Sequence, residues 1–267
     1  MKILVTGARG FVGARIMDAL DGAKAAPSLR DMTRDDIRRW IDAERPDAIV
    51  HTAAVSDIGE CAADPEGSYR ANVDIPVWIA ETGVKAVLFS SDQVYSGCVK
   101  PGPYVESDAC PENLYSREKL EMEEKVLSVN PDAVLLRATW MYDMPRYGTP
   151  NRPNFLTMML GRDALAFSDR AYRGLTYVRE VAANIEAALR LPGGAYNYGS
   201  ENDLTTFETA RRFAEALDLK VRLSGDIWEH DFSMNCDRLR AGGVAFSSTL
   251  EGLLRCAEDY NLSNWRK

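Results

Sequence analysis

Short runs of branched and apolar residues alternate with longer stretches of helical periodicity from the first residue to about position 200. This alternation is typical of βαβ units, in which each strand is followed by a helix that returns the chain to a parallel sheet. The pattern predicts strands at residues 2–6, 23–27, 48–52, 84–90 and 132–137.

Local signals mark the helices between these strands. Residues 33–36 resemble a capping box, and Gly83 ends a predicted helix that starts near Pro65. A further helix is predicted from Leu114 to Val129. Beyond Arg137 the pattern is less regular, and helices are predicted near residues 154–161, 178–190, 206–218 and 248–260.

The composition narrows the class of protein. With 267 residues and 46% hydrophobic content, the chain can bury a large core, which excludes a disordered protein. The formal net charge of -8 gives no overall attraction to nucleic acid or to an anionic membrane, so neither is expected as a partner. No apolar run is long enough for a bilayer span or a secretory signal.

The cysteines and histidines point to a cytoplasmic protein without a metal site. The five cysteines are an odd number and contain no C-x-x-C pair, which fits neither a disulfide framework nor a zinc site. A reducing cytoplasm is therefore the simplest setting. Only two histidines, His51 and His230, are present, so we expect no metal ligands.

A glycine-rich turn follows the first strand and opens a helix. Residues 6–13 read Thr-Gly-Ala-Arg-Gly-Phe-Val-Gly. Gly7 permits a tight turn, Gly10 lets the backbone approach a pyrophosphate, and Gly13 allows close packing of helix on strand. The helix N-terminus adds free N–H groups and positive potential. The pattern predicts a dinucleotide-binding site. The alternative is an ordinary glycine-containing turn between strand and helix, which could have the same sequence.

Small residues follow the third predicted strand, where residues 51–54 read His-Thr-Ala-Ala. They would let a cofactor lie across the strand ends, but small residues packed under a helix would look the same. His51 itself is interpreted as a buried strand-end histidine rather than as a ligand.

A serine, a tyrosine and a lysine form the candidate catalytic group. Ser91 ends the fourth predicted strand, and Tyr115 and Lys119 lie four residues apart, on one face of the next helix. A nearby ammonium favours the phenolate, so we expect a lowered tyrosine pKa and a proton donor that works near neutral pH. Taken alone, the tyrosine–lysine pair would be an ordinary solvated pair.

Together these motifs resemble an extended short-chain dehydrogenase/reductase, and the chain is most similar to the dTDP-4-dehydrorhamnose reductase family of the NAD-dependent epimerase/dehydratase superfamily. The matching segments are residues 6–13, 51–54, 90–95, 104–115, 135–142 and 154–156. The resemblance implies an α/β fold: a Rossmann-type doubly wound parallel sheet with a smaller C-terminal substrate-binding part. The NAD(P)-binding domain would span residues 1–140, and the substrate-binding part, interleaved with it, residues 141–267.

The resemblance also assigns residues by position. The catalytic trio falls on Ser91, Tyr115 and Lys119, with the lysine also bonding the nicotinamide ribose. It further implies that Asp31 and Met32 contact the adenine, that Ala53 and Ala54 line the cofactor and that Asn72 lies near its inner end. With the glycine turn, the catalytic pair and two arginines proposed below from their charge, the candidate cofactor-binding residues are Gly7, Arg9, Gly10, Phe11, Val12, Gly13, Arg30, Asp31, Met32, Ala53, Ala54, Asn72, Tyr115 and Lys119. The C-terminal half departs from the family pattern, because residues 229–232 read Glu-His-Asp-Phe where an Arg-Pro pair is usual.

Positive charge concentrates in the second half of the chain. Residues 137–190 hold eight arginines against five acidic residues. The planar guanidinium suits bidentate phosphate contacts, which favours a nucleotide diphosphate as ligand. The loop-like surroundings of Arg146, Arg152 and Arg173 make them the candidate substrate-binding residues, whereas a solvated face with scattered ion pairs is the alternative.

The cofactor is expected to be NADP, with NAD as the alternative. Folds that select NAD usually place Asp or Glu at the end of the second strand, where it binds the ribose 2′-hydroxyl. Residues 25–30 contain no carboxylate before Asp31. Arg9 and Arg30 could instead reach a 2′-phosphate.

These observations predict an NAD(P)H-dependent reductase acting on a keto group of a nucleotide-linked sugar. Two alternatives stay open: a nucleotide-sugar epimerase or dehydratase with tightly held NAD, and a non-catalytic regulatory subunit that binds a dinucleotide. A homodimer is also expected, in which the helices near 65–82 and 114–129 pair with their symmetry mates as a four-helix interface.

Overall fold

The computed structural model of the protein describes residues 1–146 and 153–262. Its centre is a six-stranded, fully parallel sheet. The strands, numbered in chain order, are β1 (Ile3–Thr6), β2 (Lys24–Ala25), β3 (Ala48–His51), β4 (Lys85–Ser91), β5 (Val134–Ala138) and β9 (Gly194–Tyr198). Their order across the sheet is β2-β1-β3-β4-β5-β9. The α/β class and the parallel sheet predicted from the sequence are confirmed.

Helices cover both faces of this sheet. In the first half of the chain they are α1 (Phe11–Ala19), α2 (Arg34–Glu44), α3 (Ile58–Ala63), α4 (Pro65–Tyr69), α5 (Ile75–Ala80) and α6 (Leu114–Val129). In the second half they are α7 (Phe155–Gly161), α8 (Val178–Ala183), α9 (Ile185–Ala188), α10 (Thr206–Ala216), α11 (Asp237–Ala241) and α12 (Thr249–Asp259).

Alternate residues of the central strands supply the cores on the two faces of the sheet. Val5 and Val50 face α1 and α8 on one side of the sheet. Leu88 faces α6 on the other side, where Leu4 and Ile49 meet α2 and α5. A sheet buried on both faces needs nearly continuous apolar strands, which is why these strands were recognisable from the sequence.

The helix predicted from Pro65 to Gly83 is wrong as a single α-helix. The structure divides it into α4, a π-helical turn over Arg70–Asp74, and α5. Pro76 explains the break, because a proline has no N–H to offer the carbonyl of Asn72 four residues earlier. The wider turn places Asn72 in a buried position beside the sheet.

The second half of the chain builds a smaller layered unit and also completes the main sheet. The strand pairs β6 (Trp140–Tyr142) with β8 (Leu175–Tyr177) and β7 (Ala164–Ala166) with β10 (Arg222–Ser224) pack with α7, α10 and α12 around a separate core. In contrast, α8 packs on α1, and β9 is the edge strand beside β5.

Within residues 1–146 and 153–262, no helix combines the length and the apolar character needed to cross a membrane.

A buried ion pair ties α6 to β5. The guanidinium of Arg137 donates to both carboxylate oxygens of Glu123, to the Tyr95 hydroxyl at 2.9 Å and to the Glu106 carbonyl at 2.7 Å. Both charged side chains are almost fully buried.

We expect Glu123→Ala to lower the free energy of unfolding by about 3–5 kcal/mol, because it leaves the Arg137 guanidinium buried without its counter-charge. Urea denaturation followed by circular dichroism measures this change. Glu124→Ala, on the exposed face of the same helix, is the matched control and should cost less than about 1 kcal/mol. Equal costs for the two variants would contradict the role assigned to the pair.

Candidate active site

The glycine-rich turn forms a cradle into which no side chain could fit. Gly7 has a φ of 66°, and a Cβ atom there would lie 2.7 Å from the Thr52 hydroxyl oxygen. A Cβ atom on Gly13 would lie 2.2 Å from the Gly7 carbonyl oxygen. The N–H of Gly10, the N-cap residue of α1, donates to that same carbonyl at 2.8 Å.

The start of α1 is suited to an anion. Gly10 has no side chain that could cap the helix. The first backbone N–H groups of α1, which include those of Phe11 and Val12, therefore keep their positive potential. Bare backbone and a helix N-terminus are the features that hold the pyrophosphate of a dinucleotide. The residues present therefore fit the dinucleotide that the sequence predicted.

The end of β3 is fixed against this cradle. The His51 Nδ1 atom lies 2.7 Å from the Thr6 hydroxyl, and the Thr52 hydroxyl donates to the Thr6 carbonyl at 2.8 Å. Burial, assisted by the charge of Lys119, lowers the pKa of His51 to about 3, so this histidine is neutral. Ala53 is half-buried and Ala54 exposed at the strand end.

The segment expected to meet the adenine and its ribose lies beyond β2. Arg9, Arg30 and Asp31 are exposed, and neither arginine forms an ion pair within the described ranges. Met32 is half-buried against the core under α2.

Arg70, which was not predicted from the sequence, holds this segment in place. Its guanidinium donates to the Arg30 carbonyl at 3.0 Å and to the Met32 carbonyl at 2.6 Å, and it lies over the Trp78 ring. These contacts join residues about forty positions apart, so no local pattern could have indicated them.

The catalytic candidates Ser91, Tyr115 and Lys119 come together where β4 ends. Asn113 caps α6 through the Ser116 N–H, which places Tyr115 in the first helical turn and Lys119 one turn later. The Lys119 Nζ atom donates to the Phe89 carbonyl of β4 at 3.0 Å and lies 5.8 Å from the centre of the Tyr115 ring.

Burial dominates the electrostatics of this group. It raises the pKa of Tyr115 well above its usual range, and a hydrogen bond with Ser91 opposes that rise. The lowered pKa expected for Tyr115 from the sequence is therefore wrong for the free protein. Burial also lowers the pKa of Lys119 to about 8, against the opposing charges of Glu123 and Glu118.

Arg173 lies beside the catalytic strand end. Its Nε and Nη2 atoms donate to one carboxylate oxygen of Asp92, the neighbour of Ser91, at 3.1 and 2.9 Å. The guanidinium also lies over the rings of Trp140 and Phe232, with centroid distances of 5.4 and 4.7 Å. Arg173 was predicted from the sequence as a candidate site residue, whereas Asp92, Trp140 and Phe232 were not.

The other two candidate arginines are placed differently. Arg146 pairs with Asp18, at the end of α1 opposite the glycine turn. Arg152 lies outside the described residues. The structure thus places one of the three arginines next to the catalytic group.

The segment that departs from the family pattern, residues 229–232, packs near the end of β4. The Glu229 carboxylate accepts from the Ser168 N–H at 2.9 Å, and the His230 Nε2 atom lies 3.0 Å from the Tyr95 carbonyl oxygen. The Phe232 ring lies against the Arg173 guanidinium. In the part of the chain that the structure describes, no group of three or more His, Cys, Asp or Glu residues could hold a metal ion.

The parallel sheet, the glycine cradle at β1 and the trio at β4 define a Rossmann-type enzyme of the dinucleotide-dependent reductase and epimerase class. Residues 1–241 match the family described as RmlD substrate binding domain, and the chain belongs to that family. The family assignment made from the sequence is confirmed.

Named relatives agree with this assignment. A dTDP-4-dehydrorhamnose reductase from Aggregatibacter actinomycetemcomitans is 27% identical over 240 residues, which cover 82% of this chain and 81% of that relative. Another from Sinorhizobium fredii (strain NBRC 101917 / NGR234) is 32% identical over 175 residues, covering 60% of this chain and 55% of the relative.

Solved structures share the fold. A dTDP-4-dehydrorhamnose reductase from Bacillus anthracis str. Ames in complex with NADP has a TM-score of 0.81 at 20% identity, covering 97% of this chain and 99% of that one. A UDP-glucose 4-epimerase from Thermus thermophilus with NAD has a TM-score of 0.78 at 22% identity, covering 98% and 99%. At these identities the similarity establishes the fold, which reductases and epimerases have in common.

Proposed function

We propose that the protein reduces a keto group on a nucleotide-linked sugar, with NADPH as the cofactor and a sugar of the dTDP-4-dehydrorhamnose type as the substrate. The observation that carries the proposal is the buried Tyr115, which lies with Ser91 where β4 ends and is followed one turn later by Lys119. The family assignment and the reductase relatives support it.

Each residue of the trio has a separate task. Bound NADPH would supply the hydride. Tyr115, whose raised pKa keeps the phenol protonated, donates its proton to the oxygen of the substrate carbonyl. The Ser91 hydroxyl donates a hydrogen bond to that oxygen, and the Lys119 ammonium stabilises the phenolate that remains.

The preference for NADP rests on charge. No carboxylate occupies residues 25–30 after β2, and the exposed side chains of Arg9 and Arg30 have no ion-pair partner in the described ranges. A 2′-phosphate would meet two free cations there, whereas the ribose 2′-hydroxyl of NAD would lack its usual acidic partner.

Residues 141–267 would supply most of the substrate contacts. Arg173 is the strongest candidate for the diphosphate, because it already lies next to Ser91 and its Nη1 atom makes no bond to a described residue. The roles of Arg146 and Arg152 stay predictions, because Arg146 pairs with Asp18 and Arg152 lies outside the described residues.

A nucleotide-sugar epimerase is the second candidate, because the same trio can oxidise a sugar and then return the hydride, and a solved epimerase shares the fold. The two functions differ in how the cofactor is held. Native mass spectrometry of the purified protein would find retained NAD for an epimerase and exchangeable cofactor for a reductase. A panel of keto-sugar nucleotides, followed by NADPH absorbance, then tests reduction directly.

For the proton donor, we expect Tyr115→Phe to lower kcat by about 10²–10⁴-fold while the Kd for NADPH stays within about twofold, because only the phenolic hydroxyl is removed. Steady-state kinetics and calorimetry measure the two quantities. Tyr69→Phe, whose hydroxyl bonds to Glu121 on α6, is the matched control and should keep parental kcat. Parental turnover by Tyr115→Phe would exclude this tyrosine as the donor.

For the cofactor, we expect the parent to bind NADP more tightly than NAD, and the double variant Arg9→Ala and Arg30→Ala to reduce that ratio by about tenfold or more, because each charge-assisted contact contributes about 1.5–3 kcal/mol. Calorimetric titration with both oxidised cofactors gives the ratio. The exposed Arg39→Ala on α2 is the control. An unchanged ratio in the double variant would leave the two arginines without this role.

The assembly and the location of the protein are also proposals. A homodimer would form through α4, α5 and α6, whose outward side carries polar contacts such as those of Tyr69 with Glu121 and Lys125. We expect sedimentation at micromolar concentration to show a dimer, and a monomer would exclude this interface.

A cytoplasmic location is supported by the five cysteines, all of which are free thiols.

A further inference from the structure

Glu118 is a buried acid to which the proposed chemistry gives no task. It directly precedes Lys119 in α6, and its side chain is 2% exposed. One carboxylate oxygen, Oε2, accepts hydrogen bonds from the Ser68 hydroxyl at 2.6 Å and from the Asn72 Nδ2 atom at 2.8 Å. The other, Oε1, is buried without a hydrogen-bond partner in the described part of the chain.

The hydrogen bonds of Glu118 lead to the segment that follows β3. The Asn72 amide, besides bonding to Glu118, accepts from the Val55 N–H at 3.1 Å and donates to the Val55 carbonyl at 2.9 Å. Val55 directly follows Ala53 and Ala54, the expected cofactor-lining residues. The Glu118 carboxylate therefore fixes the orientation of the amide that holds this segment.

The charge of Glu118 acts on Lys119. The charges that raise the pKa of its ammonium are those of Glu123 and Glu118 from its own helix and of Cys61 from α3. The Tyr115 ring centre lies 5.8 Å from the Nζ atom, and the ammonium in turn lowers the pKa of His51 on β3. His51 is neutral, and burial raises the pKa of Cys61, which keeps the thiol protonated.

The two carboxylates near Lys119 differ in their partners. Glu123 is neutralised by its bidentate pair with Arg137. Glu118 forms no ion pair with a basic side chain of residues 1–146 or 153–262. Glu123 raises the pKa of Lys119 more than Glu118 does. The charge of Glu123 is, however, shared with Arg137, whereas no basic side chain offsets the charge of Glu118 on the buried ammonium.

We propose that Glu118 is a positioning residue for the reduction: its negative charge keeps the buried Lys119 charged at neutral pH, and its hydrogen bonds fix Asn72 and the Val55 segment. The inference rests on the proposed function, in which the charged Lys119 stabilises the Tyr115 phenolate, and on the bond to the nicotinamide ribose that the family resemblance implies for this ammonium.

The test measures the Kd for NADPH by fluorescence between pH 6 and pH 9 in the parent and in Glu118→Gln. Binding should weaken as the pH rises through the pKa of Lys119. Glutamine can still accept the hydrogen bonds of Ser68 and Asn72 but lacks the charge, so this pKa should fall by about one pH unit. We expect binding to be about fivefold weaker than in the parent at pH 8 and nearly equal at pH 6, and the alkaline limb of kcat/KM to move in the same direction.

Matched variants separate the charge of Glu118 from its packing. Glu124→Gln removes an exposed carboxylate from the same helix and should leave the curve unchanged. Ser68→Ala removes one hydrogen bond but keeps the charge, so the pH at which binding weakens should stay where it is. If circular dichroism shows that Glu118→Gln does not fold, Glu118→Asp and Glu118→Asn replace it, because the aspartate and asparagine side chains are equal in size and differ in charge.

The outcomes are distinct. If the binding curve of Glu118→Gln coincides with the parental curve, or if binding is weaker by the same factor at every pH, the charge role of Glu118 is overturned while the proposed function stands. A parent that does not bind NADPH overturns the proposed function and this inference with it. The inference is supported if the pH at which binding weakens moves down in the variants that remove the charge of Glu118 and in no other variant.

Discussion

The burial of an ammonium beneath the candidate proton donor is the constraint on which the site depends. Water is excluded around Lys119, so protein groups must replace its hydration: the Phe89 carbonyl accepts one hydrogen bond, and carboxylates of α6 supply opposite charge. The same exclusion keeps the Tyr115 phenol protonated. Proton donor and stabilising cation therefore owe their protonation states to one feature, the packing of α6 on β4.

The sheet explains how distant residues meet. In a parallel sheet all carboxyl ends lie at one edge, so the ends of β1, β3 and β4 bring Gly7, Thr52 and Ser91 to the same side although they are separated by dozens of residues. Crossover helices cover both faces and leave that edge open. The glycine cradle and the candidate catalytic trio would then reach one and the same cofactor.

Elements whose signal is local were predictable. The first five strands, the capped helices and the family motifs were recognised because apolar runs, caps and glycine spacing lie within a few residues of each other. The edge strand Gly194–Tyr198 was missed, since glycine and asparagine leave it without an apolar run. Of the candidate site, the positions of Ser91, Tyr115 and Lys119 were predictable, but the direction of the Tyr115 pKa was not, because it depends on burial by the whole fold.

The contact of Arg173 with Asp92 shows why the two halves of the chain must be considered together. The ion pair joins residues 81 positions apart. The guanidinium of Arg173 also lies over the rings of Trp140 and Phe232, which belong to two further segments of the chain. Its cation is thus oriented before any ligand arrives, which reduces the side-chain entropy lost on binding. Because Asp92 adjoins Ser91, a group bound by Arg173 would lie at a fixed distance from the catalytic hydroxyl. This link would position the substrate relative to the proposed proton donor, and it depends on the tertiary fold rather than on any motif.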